Sequence, residues 1–253
     1  MAVPGDLSLT TLFGLVMLLI GGFILLVSGR YIWRATAVVR AAELDAIGDA
    51  TPGTLVRVSG TAVRNDADLI VAPFSGTECV ALRYQVEERR IGFPNPLPWY
   101  VTIHDATGAV EFAVQTAAGT VPIVDSVRTV VLTPAVIETT SAKTTPAERV
   151  QAFEQRHDDV PTSTIWRQPP SVLVPIFRAL SLGTRRYSEQ RAARGADVTV
   201  IGRVSDDNTS IDPLLISDRS PIVALYRMAN TSIMGVLTAS IGLALGYFVL
   251  LLG

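Results

Sequence analysis

LTTLFGLVMLLIGGFILLVS (residues 9–28) and IMGVLTASIGLALGYFVLLL (residues 233–252) decide how this chain is read. Each runs for 20 residues without a charged side chain. At 1.5 Å rise per residue, a helix of that length crosses a hydrocarbon layer of roughly 30 Å. Both stretches therefore predict transmembrane helices. Cleavage of the first as a signal peptide is disfavoured, because residues 1–11 hold no Lys or Arg and the apolar run exceeds the usual ~7 to 15 residue core. A hydrophobic content of 49% and a mean hydropathy of +0.38 over 253 residues agree with apolar mass placed in lipid.

Residues 29–232 are enough chain for one domain with its own core. A net charge of −2 provides no field to hold a nucleic-acid backbone, and no nucleic-acid partner is expected. The single Cys79 excludes an intrachain disulfide and a Cys-based zinc site within one chain. Lys143 stands alone among arginines.

Cations are retained on the cytoplasmic flanks of membrane spans. Arg30, Arg34 and Arg40 follow the first span, and Arg219 and Arg227 precede the second, while the outer flanks offer only the α-amino group. This asymmetry predicts both termini outside and the domain in the cytoplasm. Tyr31 and Trp33 are expected at headgroup level as interfacial anchors, beside Arg30, Arg34 and Arg227. The sequons at Asn208 and Asn230 point weakly the other way. Small residues also recur in register: Gly14, Gly21 and Ser28 in the first span, and Gly235, Ala239, Gly242 and Gly246 in the second. Such faces permit close helix approach, either between the two spans or with a second copy in a homo-oligomer.

Residues 30–47 lack Gly and Pro and precede Gly48, which predicts a helical stalk with a glycine stop. The period then changes to two. Val56 and Val58, then Val80, Leu82, Tyr84 and Val86, then Val110, Phe112 and Val114 alternate with more polar residues and predict strands. Residues 127–132 add another. Asp105-Ala106-Thr107-Gly108 reads as a hairpin turn between residues 101–103 and the strand at Val110. Gly53, Val56, Val58 and Gly60 recur as Gly195, Val198, Val200 and Gly202, and Val80-Ala81-Leu82 recurs as Val223-Ala224-Leu225. A β-unit used twice predicts one composite sheet or barrel, since the second copy is too short to bury a core alone.

The insert between the copies reads as helical. Thr145 as N-cap, Pro146 at the first helical position and Glu148 at the third form a capping box for a helix to about His157. Residues 171–182 are apolar and are followed by Arg185, Arg186, Arg191 and Arg194. They read as a core helix covering the sheet, the alternative being a segment on the membrane surface. The expected fold class is a two-pass α-helical membrane protein with an α+β, β-rich soluble domain, barrel- or OB-like, between the spans. Its parts are transmembrane helix 1 at 9–28, a stalk at 29–49, the β-rich domain at 50–228 and transmembrane helix 2 at 233–252. The domain divides into a first β-unit at 50–138, a helical insert at 139–193 and a second β-unit at 194–228.

No phosphate-binding or dinucleotide-binding glycine loop, HExxH or GxSxG occurs. His157-Asp158-Asp159 reads as a solvated helix end rather than a metal site. His104 and Asp105, adjacent on a strand, point to opposite faces and cannot pair simply. Cys79 beside Glu78 reads as a buried structural thiol. No catalytic, metal or cofactor-binding residue is expected, and no cofactor. The most unusual surface candidate is the loop at residues 91–100, where Phe93, Pro94, Leu97, Trp99 and Tyr100 either contact a partner or membrane, or fold over the barrel with Trp99 in the core.

The order of these features resembles a known family. An N-terminal span, GTLVRVSGTA (53–62), APFSGTECVALRYQVEER (72–89), an aromatic loop with Trp99, DATG, GADVTVIGRV (195–204), IDPLLISDRS (211–220) and a closing span resemble the GIDE-type, or beside-a-membrane (BAM), domain of membrane RING E3 ubiquitin ligases. The likeness spans nearly the whole chain. A RING finger needs eight Cys and His ligands, against one Cys and two His here, so ligase chemistry is not expected. The resemblance implies a prokaryotic-type member lacking the RING, in a plasma membrane, acting as an interaction, sensing or scaffolding module with an unknown protein or ligand partner. The alternative is a recruiting subunit of a ubiquitin-like modification or proteolysis system. A transporter is disfavoured, because neither span contains an ionisable residue.

Overall fold

The computed structural model of the chain describes residues 8–64, 68–92, 95–124, 127, 129–218 and 221–252. The first elements are helix α1 (Leu9–Arg40) and strands β1 (Ala42–Glu43), β2 (Leu55–Arg64), β3 (Ile70–Val71), β4 (Glu78–Cys79), β5 (Ala81–Gly92) and β6 (Asn95–Ala109). Strands β7 (Phe112–Gln115), β8 (Thr120–Ile123), β9 (Thr129–Val131) and β10 (Ala135–Thr140) follow, then helices α2 (Glu148–Arg156) and α3 (Val174–Ala179). Strands β11 (Arg185–Ala192), β12 (Asp197–Val204) and β13 (Ile211–Ser217) lead to helix α4 (Pro221–Leu252). These make two compact units, Met1–Ala41 with Ser220–Gly253, and Ala42–Arg219.

The helical unit is the pair α1 and α4. Ser8 caps α1 by accepting the Thr11 amide at 3.1 Å. The expected continuation of α1 to Ile47 does not occur: the helix ends at Arg40, and Gly48 sits in a single 3₁₀ turn, Ile47–Asp49. The Ala-rich stretch beyond Arg40 has helix propensity, but propensity is outweighed by tertiary gains. β1 pairs in parallel with β2, Leu44 donates to the Arg57 carbonyl at 2.8 Å, and its side chain enters the barrel core. At the other end α4 begins at Pro221, whose missing N–H is no loss in a first helical turn. Val223-Ala224-Leu225, expected as a strand of the second repeat, is therefore helical.

The second unit holds a five-stranded barrel, running β2–β12–β13–β8–β7 and back to β2. β13 runs parallel to β8 and β9, and the remaining neighbours in the closed circuit are antiparallel. The period-two residues account for the filling: Val56, Val58, Phe112, Val114, Val198 and Val200 all point into one buried cluster with Val121, Ile123, Ile211 and Ile216. The two copies of the glycine-valine repeat lie side by side as β2 and β12.

A second, antiparallel sheet runs β10–β11–β5–β6. Here the expected DATG turn is absent, and Asp105 to Gly108 lie inside β6, opposite Gln85 to Leu82. Arg83 binds the Asp105 carboxylate through two nitrogens, at 2.9 and 2.6 Å, and Gln85 donates to it at 3.0 Å. Cross-strand charge pairing has overridden turn composition. β5 and β6 pair instead up to Gly92 opposite Asn95. The capping box also fails. α2 starts at Glu148 with Ala147 at its N-cap, and the Ala147 amide is taken by Glu138 of β10 at 2.9 Å. A strand carboxylate thus takes the N-cap amide, the part of the box expected of Glu148, and no side chain caps the first-turn amides. Val150 and Phe153 of α2 pack on the sheet against Phe74, Val86 and Tyr187.

Candidate functional site

The small residues of α1 and α4 meet each other. A Cβ added to Gly14 would lie 3.1 Å from the Gly246 carbonyl oxygen, and one added to Gly21 would lie 3.2 Å from that of Ala239. A Cβ on Gly235 would collide with Ser28 Oγ. The early residues of one helix thus face the late residues of the other, and the pair is antiparallel. Gly242 is the exception, with open space where its Cβ would be. Leu18, Leu243 and Leu250 pack against these glycines, whereas Leu19, Phe23, Leu26, Ile241, Phe248 and Leu251 point away from the seam and are exposed. Arg30, Tyr31 and Trp33 are exposed on α1, while the side chains of Arg34 and Arg227 lie outside the described set.

Residues 95–100 are the start of β6, an edge strand. Pro96 and Pro98 suit an edge because they have no N–H to leave unpaired. Trp99 is 43% exposed and Leu97 68%, so the reading with Trp99 in the core does not hold. The Arg186 guanidinium lies 4.2 Å from the centre of the Tyr100 ring. Phe93 and Pro94 lie outside the described residues.

His104 finds a carboxylate, though not its neighbour. Its Nδ1 is 2.6 Å from Asp159 Oδ2, and that contact holds the Asp159 carboxyl below its ordinary range. A carboxylate-oriented imidazole works as a base only if its second nitrogen reaches a reacting atom. Here Nε2 is buried with no hydrogen-bond partner, in a ring cluster of Tyr84, Phe153 and His157. His157 Nδ1 donates to the Phe153 carbonyl at 3.0 Å and the ring stacks on that of Phe153, so it belongs to packing as well. Cys79 is buried, its thiol pushed up to about 11 by burial and by Glu189. It is poorly suited to nucleophilic chemistry.

The sequence segments most specific to the family resemblance have visible structural duties. Buried Glu189 of β11 accepts the amides of Phe74 and Ser75 at 2.7 and 3.1 Å, and Arg191 donates to Ser75 and Thr77 at 2.6 and 2.8 Å. They pin the turn between β3 and β4. A second buried network centres on Arg185, which is fully enclosed. It donates to Glu88 at 3.2 Å, to Glu154 at 2.5 Å and to the Pro161 carbonyl, and Tyr187 donates to Glu154 at 2.5 Å. Burial and the Glu154 carboxylate push the Tyr187 hydroxyl up to about 12.

The feature that sequence reasoning missed is a cavity of about 570 Å³ beside α3. Trp166 and Phe177 stack there with ring centres 5.7 Å apart, next to Val174, and Lys143, Arg167 and Arg178 also line it. No Asp or Glu does. Gly183 lies between the lining residues Leu182 and Thr184: at φ +74 it occupies a conformation that disfavours side chains, and a Cβ there would overlap the Trp166 carbonyl. Ser181, also lining the cavity, is held at φ 53. The residues expected to form a core helix surround this cavity instead. No residue of the 3₁₀ turn Ser171–Leu173 or of α3 is buried. Comparison with protein-family models, with curated proteins and with solved structures finds no match to this chain.

Proposed function

We propose that the chain is a membrane-anchored interaction module, in which α1 and α4 cross a bilayer as an antiparallel pair and the β-rich unit recognises a partner or ligand in water. One observation carries this reading: the helix pair is inside-out. Small residues let its seam close, with Leu18, Leu243 and Leu250 packed against the glycines, while exposed Leu, Ile and Phe cover its outer surface, and only 17% and 11% of the two apolar windows is buried. Water would penalise that surface heavily, whereas lipid tails match it. The GIDE-type resemblance supports a scaffolding or sensing role. The arginines beside the spans support a cytoplasmic β-rich unit with both termini outside, in a prokaryotic plasma membrane.

Fractionation of cells under alkaline carbonate tests the anchor. The chain should stay in the membrane pellet and leave it only with detergent; recovery in the soluble fraction would refute the reading. Protease added to sealed, right-side-out cells should spare the β-rich unit, and its digestion from outside would reverse the assigned topology.

A further inference from the structure

The cavity beside α3 has the three attributes of a site for an anion with an apolar part. Its wall is aromatic and aliphatic, with Trp166, Phe177 and Val174. Its charged lining is of one sign, Lys143, Arg167 and Arg178, and none of these cations has an ion-pair partner among the described residues. Arg167 Nη1 is buried without a hydrogen-bond partner. A buried guanidinium nitrogen left without an acceptor is costly, and it marks Arg167 as a cation whose charge nothing in the described fold offsets. Beside the lining residues in the chain stand Ile165, Val172 and Ile176, all exposed, Val172 at 83%. Three large aliphatic side chains kept in water next to unpaired cations form the pattern of a segment that lies in a lipid interface.

We propose that this cavity and its rim are a docking site for anionic phospholipid. Ile165, Val172 and Ile176 enter the acyl boundary, Trp166 and Phe177 sit at headgroup depth, and Arg167, Arg178 and Lys143 receive phosphate oxygens. Lipid is favoured over an acidic peptide because the apolar rim extends beyond the cavity and is aliphatic, matching acyl chains better than a charged ligand. The proposal rests on the membrane-anchored reading, which keeps a bilayer within reach of the chain.

The test uses the full chain in nanodiscs, with Cys79→Ser removing the native thiol and a nitroxide placed by Val172→Cys. A second sample carries the label at Leu19→Cys, on the outer surface of α1. In discs of phosphatidylcholine with phosphatidylglycerol, the label at 172 should become accessible to oxygen and shielded from a water-soluble nickel reagent; in pure phosphatidylcholine it should shift back towards water. Each basic group near an anionic surface contributes about a fivefold preference, so Arg167→Gln and Arg178→Gln should each lower the docking equilibrium constant about fivefold, and the triple variant with Lys143→Gln by about 100-fold. A label at 172 that stays aqueous in both discs while the label at 19 is in lipid overturns the docking site alone. A label at 19 that is itself aqueous overturns the membrane anchor. Spin–spin broadening between labels at 172 in discs with two chains assigns the face to a second copy, and also overturns the proposal.

Discussion

Val58 and Val200 are paired directly across the β2–β12 ladder, and they hold the same place in the two copies of the repeat. Val56 accordingly faces Gly202 and Gly60 faces Val198, so a local two-fold axis passes between the central valines. The repeat is a symmetric strand pair. Its two glycines share one duty, because a Cβ on Gly60 would overlap the Gln115 carbonyl and one on Gly202 would overlap that of Asp212. Gly60→Ala and Gly202→Ala should each cost about 2 to 3 kcal/mol by forcing backbone apart in a packed barrel. Gly92→Ala, where a Cβ meets nothing, should be nearly neutral. Urea unfolding of the detergent-solubilised chain reads the difference, and equal effects at all three sites would contradict the close-approach argument.

Arg185 is a buried cation between two carboxylates, so its neighbours depend on it. Arg185→Met leaves the enclosed Glu88 with Arg90 at 2.8 Å, itself partly solvent-exposed, and Thr164 as its partners, and removes the enclosed cation it shares with Glu154. Removing one partner of a buried ion pair costs about 3 to 5 kcal/mol. Glu154→Gln should cost less, because Glu154 reaches solvent and glutamine keeps an acceptor for Tyr187. Thermal unfolding of the two variants gives the ranking, and the reverse order would sink the assignment of Arg185 as the hub.

What the sequence made legible and what it did not divide along physical lines. Uncharged runs and period-two valines are local signals, and both long apolar helices and the barrel strands appear where those signals lie. Asp105-Ala106-Thr107-Gly108 has turn composition, but its fate depended on Arg83, 22 residues away along the chain. The helix start moved to Glu148, two residues past the expected Pro146, where Glu138 of a distant strand holds the Ala147 amide. The cavity was harder still. Trp166, Lys143 and Phe177 converge only through tertiary packing, and the one available hint, an apolar stretch followed by arginines, was equally compatible with a core helix.

Cys79 makes a pH prediction with a definite sign. Its folded value, raised from 9.0 to about 11, means the native state holds its proton where the unfolded chain has lost it. Stability therefore falls as pH rises between about 9 and 11, by at most about 2 to 3 kcal/mol from this group. Below pH 9 the group contributes no slope. Denaturant midpoints measured across that window should fall less steeply for Cys79→Ala than for the natural chain. Alkylation by iodoacetamide at pH 8 should likewise be slow in the folded protein and fast in urea; rapid native alkylation would show the thiol to be open.

The helix seam separates glycines that pack from one that does not. Gly21 sits against Ala239 and Leu243, and Gly14 against Gly246 and Leu250, so leucine at either position pushes the two backbones apart. Gly242 faces open space, so leucine there adds apolar surface without touching the partner helix. Gly21→Leu should therefore destabilise the pair by about 1 to 3 kcal/mol, while Gly242→Leu should leave it unchanged. Steric-trap or force-induced unfolding in bicelles measures this directly. If Gly242→Leu instead weakened self-association of the full chain, its side of α4 would be a contact between copies. Loss of stability on both substitutions within an isolated single chain would show that the seam is wrongly placed on α4.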